Sequence, residues 1–290
     1  MIKCPDHWQE IGWDSIYLQL PEDWQPTVIL KSYLLFERDN KPACEIKWQP
    51  ARGKFSPGSV LKRFQQTLGK DVAISEWTVP DVWRQALQSF IVSGFRLRHG
   101  TLLCHGFLLY CPHSRRTLLI RLYFDPAAED RIVTHILQSL ADHDKNDERL
   151  WSMYDIRALL PVQLKLQTHE FQPGRFTLTF SYAGTTITLY RIKPAGVILK
   201  KQSLADFGTS LGGRNVTVTE NNDLVNFTHQ ARGLDLLRTR LRRKPSWHWF
   251  RLSHVPAHNV ILGIKGEGRN GRDVSLLEHV SRNFTVTEPR

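Results

Sequence analysis

Cysteine is scarce in this chain of 290 residues, which contains only Cys4, Cys44, Cys104 and Cys111. So few thiols at irregular spacing argue against a disulfide framework and favour reduced cysteines. No apolar run approaches the roughly 18 residues that a membrane-spanning helix needs. The first residues do not show the basic and then apolar pattern of a secretory signal. We therefore expect a cytoplasmic protein with no membrane partner.

Acidic side chains are few in the second half of the chain. Residues 150–290 contain 20 lysines and arginines but only 10 aspartates and glutamates, whereas residues 1–149 contain 19 and 18. Nearly all of the net charge of +11 therefore belongs to the second half. An excess of this kind favours a partner protein with an acidic surface, and it leaves nucleic acid as an alternative.

The second half repeats features of the first half at an offset of 140 to 144 residues. Residues 32–69 align with 175–212 without a gap, and shorter matches follow in the same order. These matches are Leu20-Pro21 with Leu160-Pro161, Arg96-Leu97-Arg98 with Arg240-Leu241-Arg242, His105 with His248, and His135 with His279. A fixed long period indicates internal duplication. We expect two domains, 1–145 and 150–290, separated by a polar linker at 142–149.

Each half is predicted to contain three strands, a helix, three further strands and a final helix. The first helix of each half shows apolar residues at helical spacing and ends at a glycine. These positions are Val60, Leu61, Phe64 and Leu68 before Gly69, and Leu204, Phe207 and Leu211 before Gly212. Antiparallel hairpins with helices on one face predict an α+β fold. We expect two such repeats, packed about an approximate two-fold axis.

This order of elements resembles the fold shared by the photosystem protein PsbP and the Ran-binding nuclear import factor. The resemblance covers both halves and rests on element order, because that fold has no short signature motif. It implies a scaffold used mainly for contact with other proteins. It transfers no functional residue to this chain, because a fold does not determine a function.

Two arginine-rich segments are the candidate binding residues. They comprise Arg96, Arg98, Arg238, Arg240, Arg242, Arg243 and Lys244. Arginine alternating with leucine predicts extended segments with the arginines on one face. Together with Arg251 and Lys265, and flanked by Trp247 and Trp249, the second segment could form a basic strip that holds phosphates while aromatic rings stack on bases. A solvated strand face is the simpler interpretation.

Two motifs suggest cofactor or metal binding, and neither is compelling. The sequence 266–271 matches G-x-G-x-x-G, but only 19 residues follow it, too few for the rest of a dinucleotide-binding unit. Cys4 with His7 and Cys111 with His113 have the residue types of zinc ligands, but the second half does not repeat them. We predict no cofactor and no metal, while zinc binding by these four residues stays an open alternative.

Catalytic patterns are similarly weak. Asp39 with Glu45 and Lys47 is the residue set that metal-dependent nucleases use, yet Thr188 and Tyr190 replace the last two in the second half. No carboxylate recurs beside the repeated histidines to orient a general base. We therefore predict a non-enzymatic protein-interaction module. A nucleic-acid-binding protein is the alternative, and a metal-dependent nuclease is the third hypothesis.

Overall fold

The computed structural model describes residues 7–51, 53, 55–68, 72–99, 102–125, 128–144, 147–212, 217–221, 223–242, 244–269 and 273–287. The chain divides into two compact units. The first consists of Met1–Lys145 with Ser152–Tyr154, and the second of Asn146–Trp151 with Asp155–Pro289. The described residues form mainly antiparallel strands with fewer helices, which is an α+β architecture.

The first unit contains ten strands and three helices within the described residues. The strands are β1 Trp8–Trp13, β2 Ile16–Pro21, β3 Gln25–Leu30, β4 Tyr33–Arg38, β5 Lys41–Pro50, β6 Val72–Trp77, β7 Ile91–His99, β8 Leu102–Cys111, β9 Arg116–Leu122 and β10 Ala141–Asp142. The helices are α1 Pro57–Thr67, α2 Asp81–Ala86 and α3 Asp130–Ser139.

Seven of these strands form one antiparallel sheet in the order β3-β4-β5-β9-β8-β7-β6. The turn between β4 and β5 uses Asp39 and Asn40 at φ values of 51° and 57°. These two residue types tolerate the left-handed conformation that a tight hairpin requires. The strands β10, β2 and β1 pair beside one another in a separate antiparallel arrangement.

Helices cover both faces of this sheet, so the predicted arrangement with helices on one face is wrong. Leu108 on β8 packs in the apolar cluster beneath α1, together with Leu61 of that helix. Its neighbour Phe107 faces the other way and meets Trp83 of α2 edge-on, with ring centroids 6.2 Å apart. A strand buried on both faces is apolar throughout rather than alternating, which explains the long apolar run along β8.

The second unit contains ten strands and four α-helices within its described residues. The strands are β11 Glu148–Met153, β12 Ile156–Pro161, β13 Lys165–Gln172, β14 Arg175–Tyr182, β15 Thr185–Ile192, β16 Thr217–Asn221, β17 Leu224–Gln230, β18 Trp247–Val255, β19 Val260–Gly268 and β20 Phe284–Val286. The helices are α4 Ala195–Leu199, α5 Leu204–Gly212, α6 Gly233–Leu241 and α7 Val274–Asn283. A short 3₁₀ turn, Pro256–His258, joins β18 to β19.

The large sheet of the second unit has the order β13-β14-β15-β19-β18-β17-β16, again antiparallel throughout. This is strand for strand the order found in the first unit. The helices differ, because α2 connects β6 to β7 whereas α6 connects β17 to β18. The predicted strand over residues 87–92 is also partly wrong, since the chain forms a turn there and β7 begins at Ile91.

The helix α5 lies close to its sheet because of a glycine. A Cβ atom at Gly208 would come within 2.3 Å of the ring of Phe227 on β17. Leu204, Phe227, Phe250 and Leu252 form the apolar cluster at this contact. The predicted helix and its apolar face are therefore present in the second unit, and its bounds run to Gly212 as expected.

Part of the predicted linker is structured. Asp142 ends β10, and Glu148 begins β11, so strand residues occupy both ends of the polar run. None of the helices that the structure describes is long and apolar enough to cross a membrane.

Candidate interaction surface

The arginine-rich segment of the second unit is helical, which corrects the predicted extended conformation. Arg238 and Arg240 lie on α6, and Arg242 follows its last residue, with its backbone N–H donating to the Arg238 carbonyl at 3.0 Å. Arginine and leucine are good helix formers, and the leucines here recur at helical rather than strand spacing. Arg96-Leu97-Arg98 lies on strand β7. The predicted sequence match between these three residues and Arg240-Leu241-Arg242 is therefore wrong.

Three leucines of α6 point into solvent. Leu234, Leu237 and Leu241 are 74%, 57% and 85% exposed. Their spacing of three and then four residues places them on one side of the helix. Leu236 and Thr239 are partly buried and lie on the opposite side. The side of α6 that carries these three leucines is therefore exposed, whereas the apolar side of a surface helix is usually buried.

Basic residues border these leucines. Arg232, Arg238, Arg242 and Lys244 are all exposed. The carboxylate of Asp235 lies 3.9 Å from the Arg238 guanidinium, but both side chains are more than 70% exposed, so this pair adds little. We call Leu234, Leu237 and Leu241 with these four cations the α6 surface. The side chain of Arg240, and Arg243 as a whole, lie outside the described residues.

Of this surface, the sequence predicted the cations Arg238, Arg242 and Lys244, whereas Arg232 and the three leucines were missed. The alternation in Arg238-Thr-Arg240-Leu-Arg242 suggested a strand, so the helical spacing that begins at Leu234 was not recognised. The available signal was the spacing of Leu234, Leu237 and Leu241, which fits a helix with 3.6 residues per turn.

The remaining candidate cations of the second unit do not form a free basic strip. Phe250 pairs with Lys265, whereas Arg251 is the next residue on β18, so Arg251 and Lys265 point to opposite faces of the sheet. Arg251 donates to Asn226 Oδ1 at 2.7 Å and to Ser281 Oγ at 2.8 Å. The flanking Trp247 and Trp249 are 2% and 6% exposed, which leaves them no accessible ring for stacking on a base.

Lys265 is neutralised by Glu267. The Lys265 Nζ lies 2.9 Å and the His248 Nδ1 3.2 Å from the Glu267 carboxylate. The hydrogen bond from His248, and then the hydrogen bond and charge of Lys265, lower the pKa of Glu267 from 4.5 to about 2. This cluster is a local network on the sheet surface in which the charge of Lys265 is already paired with a carboxylate.

Glu267 is expected to make the second unit sensitive to acid. A carboxyl group whose pKa is lower in the folded state stabilises that state above its unfolded pKa, and the contribution disappears as the pH falls through the folded value. The free energy of unfolding should therefore fall between about pH 4.5 and pH 2. Urea titrations across this range should show a smaller fall for Glu267→Gln. An unchanged pH profile would contradict the assignment.

The histidines at 105 and 248 do not occupy equivalent positions in the two sheets. Cys104 packs in the cluster beneath α1, so its neighbour His105 points to the opposite face. Phe250 packs in the cluster beneath α5, so His248, two residues earlier, points to the α5 face. The predicted match is wrong by one residue, and a slip of one residue exchanges the faces of a strand.

The histidines at 135 and 279 do recur in similar settings on α3 and α7. His135 Nε2 lies 2.7 Å from Gln19 Oε1, and its ring stacks on Trp8 with centroids 3.6 Å apart. His279 Nε2 lies 2.7 Å from Glu148 Oε1. Each histidine therefore connects the last helix of its half to a strand near the beginning of that half.

The first unit contains Arg96 and Arg98 on β7, where the predicted extended conformation is correct. Both side chains are exposed, and the intervening Leu97 is 8% exposed. Glu45, the predicted nuclease carboxylate, is 4% exposed and is held by the Arg121 guanidinium and by the Tyr123 hydroxyl at 2.6 Å. Its negative charge is therefore already neutralised inside the protein.

The structure gives little support for a metal site at the cysteine–histidine pairs or for a dinucleotide site at the glycine motif of residues 266–271. No group of three or more histidine, cysteine, aspartate or glutamate side chains suited to a metal ion occurs among the described residues. Cys111 is buried and its thiol faces the carbonyl oxygen of Asp142 at 3.8 Å, while Cys4 lies outside the described part of the chain. Gly266 and Gly268 lie within β19, where Leu277 and Trp247 fill the space above them.

No protein-family model and no curated protein sequence matches the chain. Two solved structures similar to it are the Ran-binding protein Mog1p of Saccharomyces cerevisiae and the apo form of the immunity protein TplEi of the T6SS from Pseudomonas aeruginosa. The first is 10% identical with a TM-score of 0.33, covering 49% of this chain and 96% of Mog1p. The second is 9% identical with a TM-score of 0.39, covering 97% of this chain and 98% of TplEi.

Proposed function

We propose that the chain is a non-enzymatic protein-interaction module whose second unit binds an acidic partner protein through the α6 surface. The observation that carries this proposal is the exposure of three leucines on one side of a helix. A contiguous apolar patch bordered by charge is the usual mark of a contact surface for another protein. Burying a leucine that is otherwise exposed contributes about 1.5 to 3 kcal/mol, before the costs of association.

The charge around α6 supports an acidic partner. Four exposed cations border the leucines, and the second half of the chain carries twice as many basic as acidic residues. Complementary charge speeds the encounter and fixes the orientation, while the apolar contact supplies most of the affinity. The partner that fits is a protein with an apolar groove and an acidic rim.

The three exposed leucines favour a protein partner over nucleic acid. A surface that binds phosphates needs cations and benefits from exposed aromatic rings, and it gains nothing from Leu234, Leu237 and Leu241. Nucleic acid stays the alternative because Arg238, Arg242 and Lys244 are accessible. The geometry adds no support for a nuclease at Glu45 and Lys47, since Arg121 and Tyr123 already engage Glu45.

We also propose that the two units derive from duplication of one α+β unit. The support is the shared order of seven strands in their large sheets, together with the collinear sequence matches. Duplication explains how α6 could acquire a separate role, because the first unit connects the corresponding strands differently, with α2 before β7 rather than a helix after it.

Site-specific photo-crosslinking tests the proposed surface. A photoreactive amino acid placed at Leu237 in the native host should capture an acidic protein, because that position lies at the centre of the leucines. The same group at Arg131, an exposed residue of α3 in the first unit, is the control. The captured protein, once purified, should bind the wild-type chain. Equal yields from both positions, or none from Leu237, would contradict the proposal.

Nucleic-acid binding is measured in parallel by fluorescence anisotropy with single-stranded DNA, duplex DNA and RNA at two salt concentrations. The protein-interaction proposal predicts weak binding that changes little when Arg238, Arg242 and Lys244 are neutralised. Tight binding that falls steeply with salt and disappears in that variant would favour the alternative.

A further inference from the structure

Arg96 and Arg98 present two cations on one face of β7 in the first unit. Both side chains are exposed, whereas Phe95 and Leu97 beside them are 0% and 8% exposed. Residues two apart on a strand have their Cα atoms about 6.6 Å apart and point the same way. The two guanidinium groups therefore share one patch of the first unit, distinct from the α6 surface of the second.

Neutral groups hold Arg96 in place. Its Nε donates to His105 Nε2 at 3.1 Å, and its guanidinium carbon lies 5.9 Å from the ring centroid of Trp77. His105 is only 4% exposed, and Trp77 packs against the imidazole with ring centroids 4.9 Å apart. A buried acceptor and an aromatic ring fix the direction of a long side chain without removing its charge.

His105 acts as a neutral acceptor. Burial, and then the charge of Arg96, lower the pKa of His105, although the carboxylate of Asp125 opposes the shift. Because Arg96 Nε is the donor, His105 Nε2 must carry its lone pair in this arrangement. The positive charge of Arg96 is therefore not cancelled by its partner.

Three more deeply buried arginines of the same unit, Arg38, Arg116 and Arg121, are paired with carboxylates. Arg38 binds Glu129 through both Nη atoms, at 2.8 and 3.0 Å, and Arg121 binds Glu45. Arg96 and Arg98 have no carboxylate partner in the part of the chain that the structure describes. An arginine that is held in place but left unpaired is ready to bind an anion from outside.

We infer that Arg96 and Arg98 form an oxyanion-binding site in the first unit, which takes a phosphate or carboxylate group of a ligand. His105 occupies Nε of Arg96, so the two Nη groups are left as the edge that can bind two oxygens at once. Arg98 adds a second cation on the same face. This inference is independent of the α6 surface, because neither residue belongs to the second unit.

Anion titrations of the full chain, followed by NMR of the arginine side-chain N–H groups, test the site. Inorganic phosphate and acetate serve as probes at constant ionic strength maintained with sodium chloride. We expect a saturable shift of the Arg96 Nε–H signal with at least one probe. Tighter binding of phosphate would indicate a phosphate ligand, and tighter binding of acetate a carboxylate ligand. A shift that saturates with neither probe would overturn the inference.

Variants separate a built site from general attraction to a basic protein. Arg96→Ala should raise the dissociation constant at least about tenfold, in line with the loss of a charged hydrogen bond. Arg96→Lys should weaken binding nearly as much, because lysine keeps the charge but not the two-pronged edge. Arg131→Ala removes an exposed arginine elsewhere in the unit and should change nothing. Equal effects of Arg96→Ala and Arg131→Ala would overturn the inference.

Discussion

Replacing Arg121 with methionine is expected to destabilise the first unit by about 3 to 5 kcal/mol. Glu45 is 4% exposed, and its carboxylate depends on Arg121 and on the Tyr123 hydroxyl. Methionine fills much of the space of the arginine stem but leaves the buried negative charge without a cation. Urea unfolding, followed by hydrogen exchange of β9 amides to report on the first unit alone, measures the loss.

The double variant Glu45→Gln with Arg121→Met tests whether the uncompensated charge of Glu45 causes this loss of stability. Glutamine keeps an acceptor for Tyr123 and removes the uncompensated charge, so most of the stability should return. Arg131→Met, on an exposed arginine of α3, should change stability by less than about 0.5 kcal/mol. A loss below about 1 kcal/mol for Arg121→Met would show that solvent reaches Glu45 and that the pair is not a buried one.

Gly106→Ala is expected to destabilise the first unit by at least about 2 kcal/mol. The ring of the fully buried Phe95 lies directly over Gly106, its partner across β7 and β8. An added Cβ would come within 2.1 to 2.5 Å of three ring carbons. The phenylalanine cannot move away freely, because Phe64 of α1 and the neighbouring core side chains enclose it. The same unfolding experiment measures the change.

A second substitution tests whether the ring is the cause. Phe95→Leu should recover part of the stability in the Gly106→Ala background, although it is destabilising by itself, because the two positions are in contact. Gly58→Ala in α1 is the matched control, since nothing lies within 4 Å of a Cβ at that position. It should be neutral or slightly stabilising. Additive effects of the first two changes would contradict the explanation.

Elements with strong periodicity could be predicted from the sequence. The helices α3 and α7 and the hairpin of β4 with β5 follow from apolar spacing and turn residues alone. The strand β3 was missed, because Thr27, Val28 and Ile29 give no clean alternation and a β-bulge shifts the register between Pro26 and Val28. The residue pattern within one segment does not show which of its faces the rest of the fold will bury, so a strand without clean alternation cannot be recognised from its own sequence.

The candidate site was predicted only in part. Three of its four cations, Arg238, Arg242 and Lys244, were identified, but the alternation of arginine with leucine was interpreted as a strand. Alternation over so few residues does not determine whether a segment is a strand or a helix. In addition, α6 has no counterpart at the corresponding place in the first unit. The exposure of Leu234, Leu237 and Leu241 could not be deduced from the sequence, because an apolar side of a helix normally faces a core.

The dissociation constant of the crosslinked partner for a variant with Leu234, Leu237 and Leu241 all changed to serine tests the central claim most directly. Because these side chains are 57% to 85% exposed, the variant should keep its folding stability. We predict at least about a 100-fold weaker complex, equivalent to about 2.8 kcal/mol. Unchanged affinity in a folded variant would contradict the claim that α6 is the surface with which this chain binds another protein.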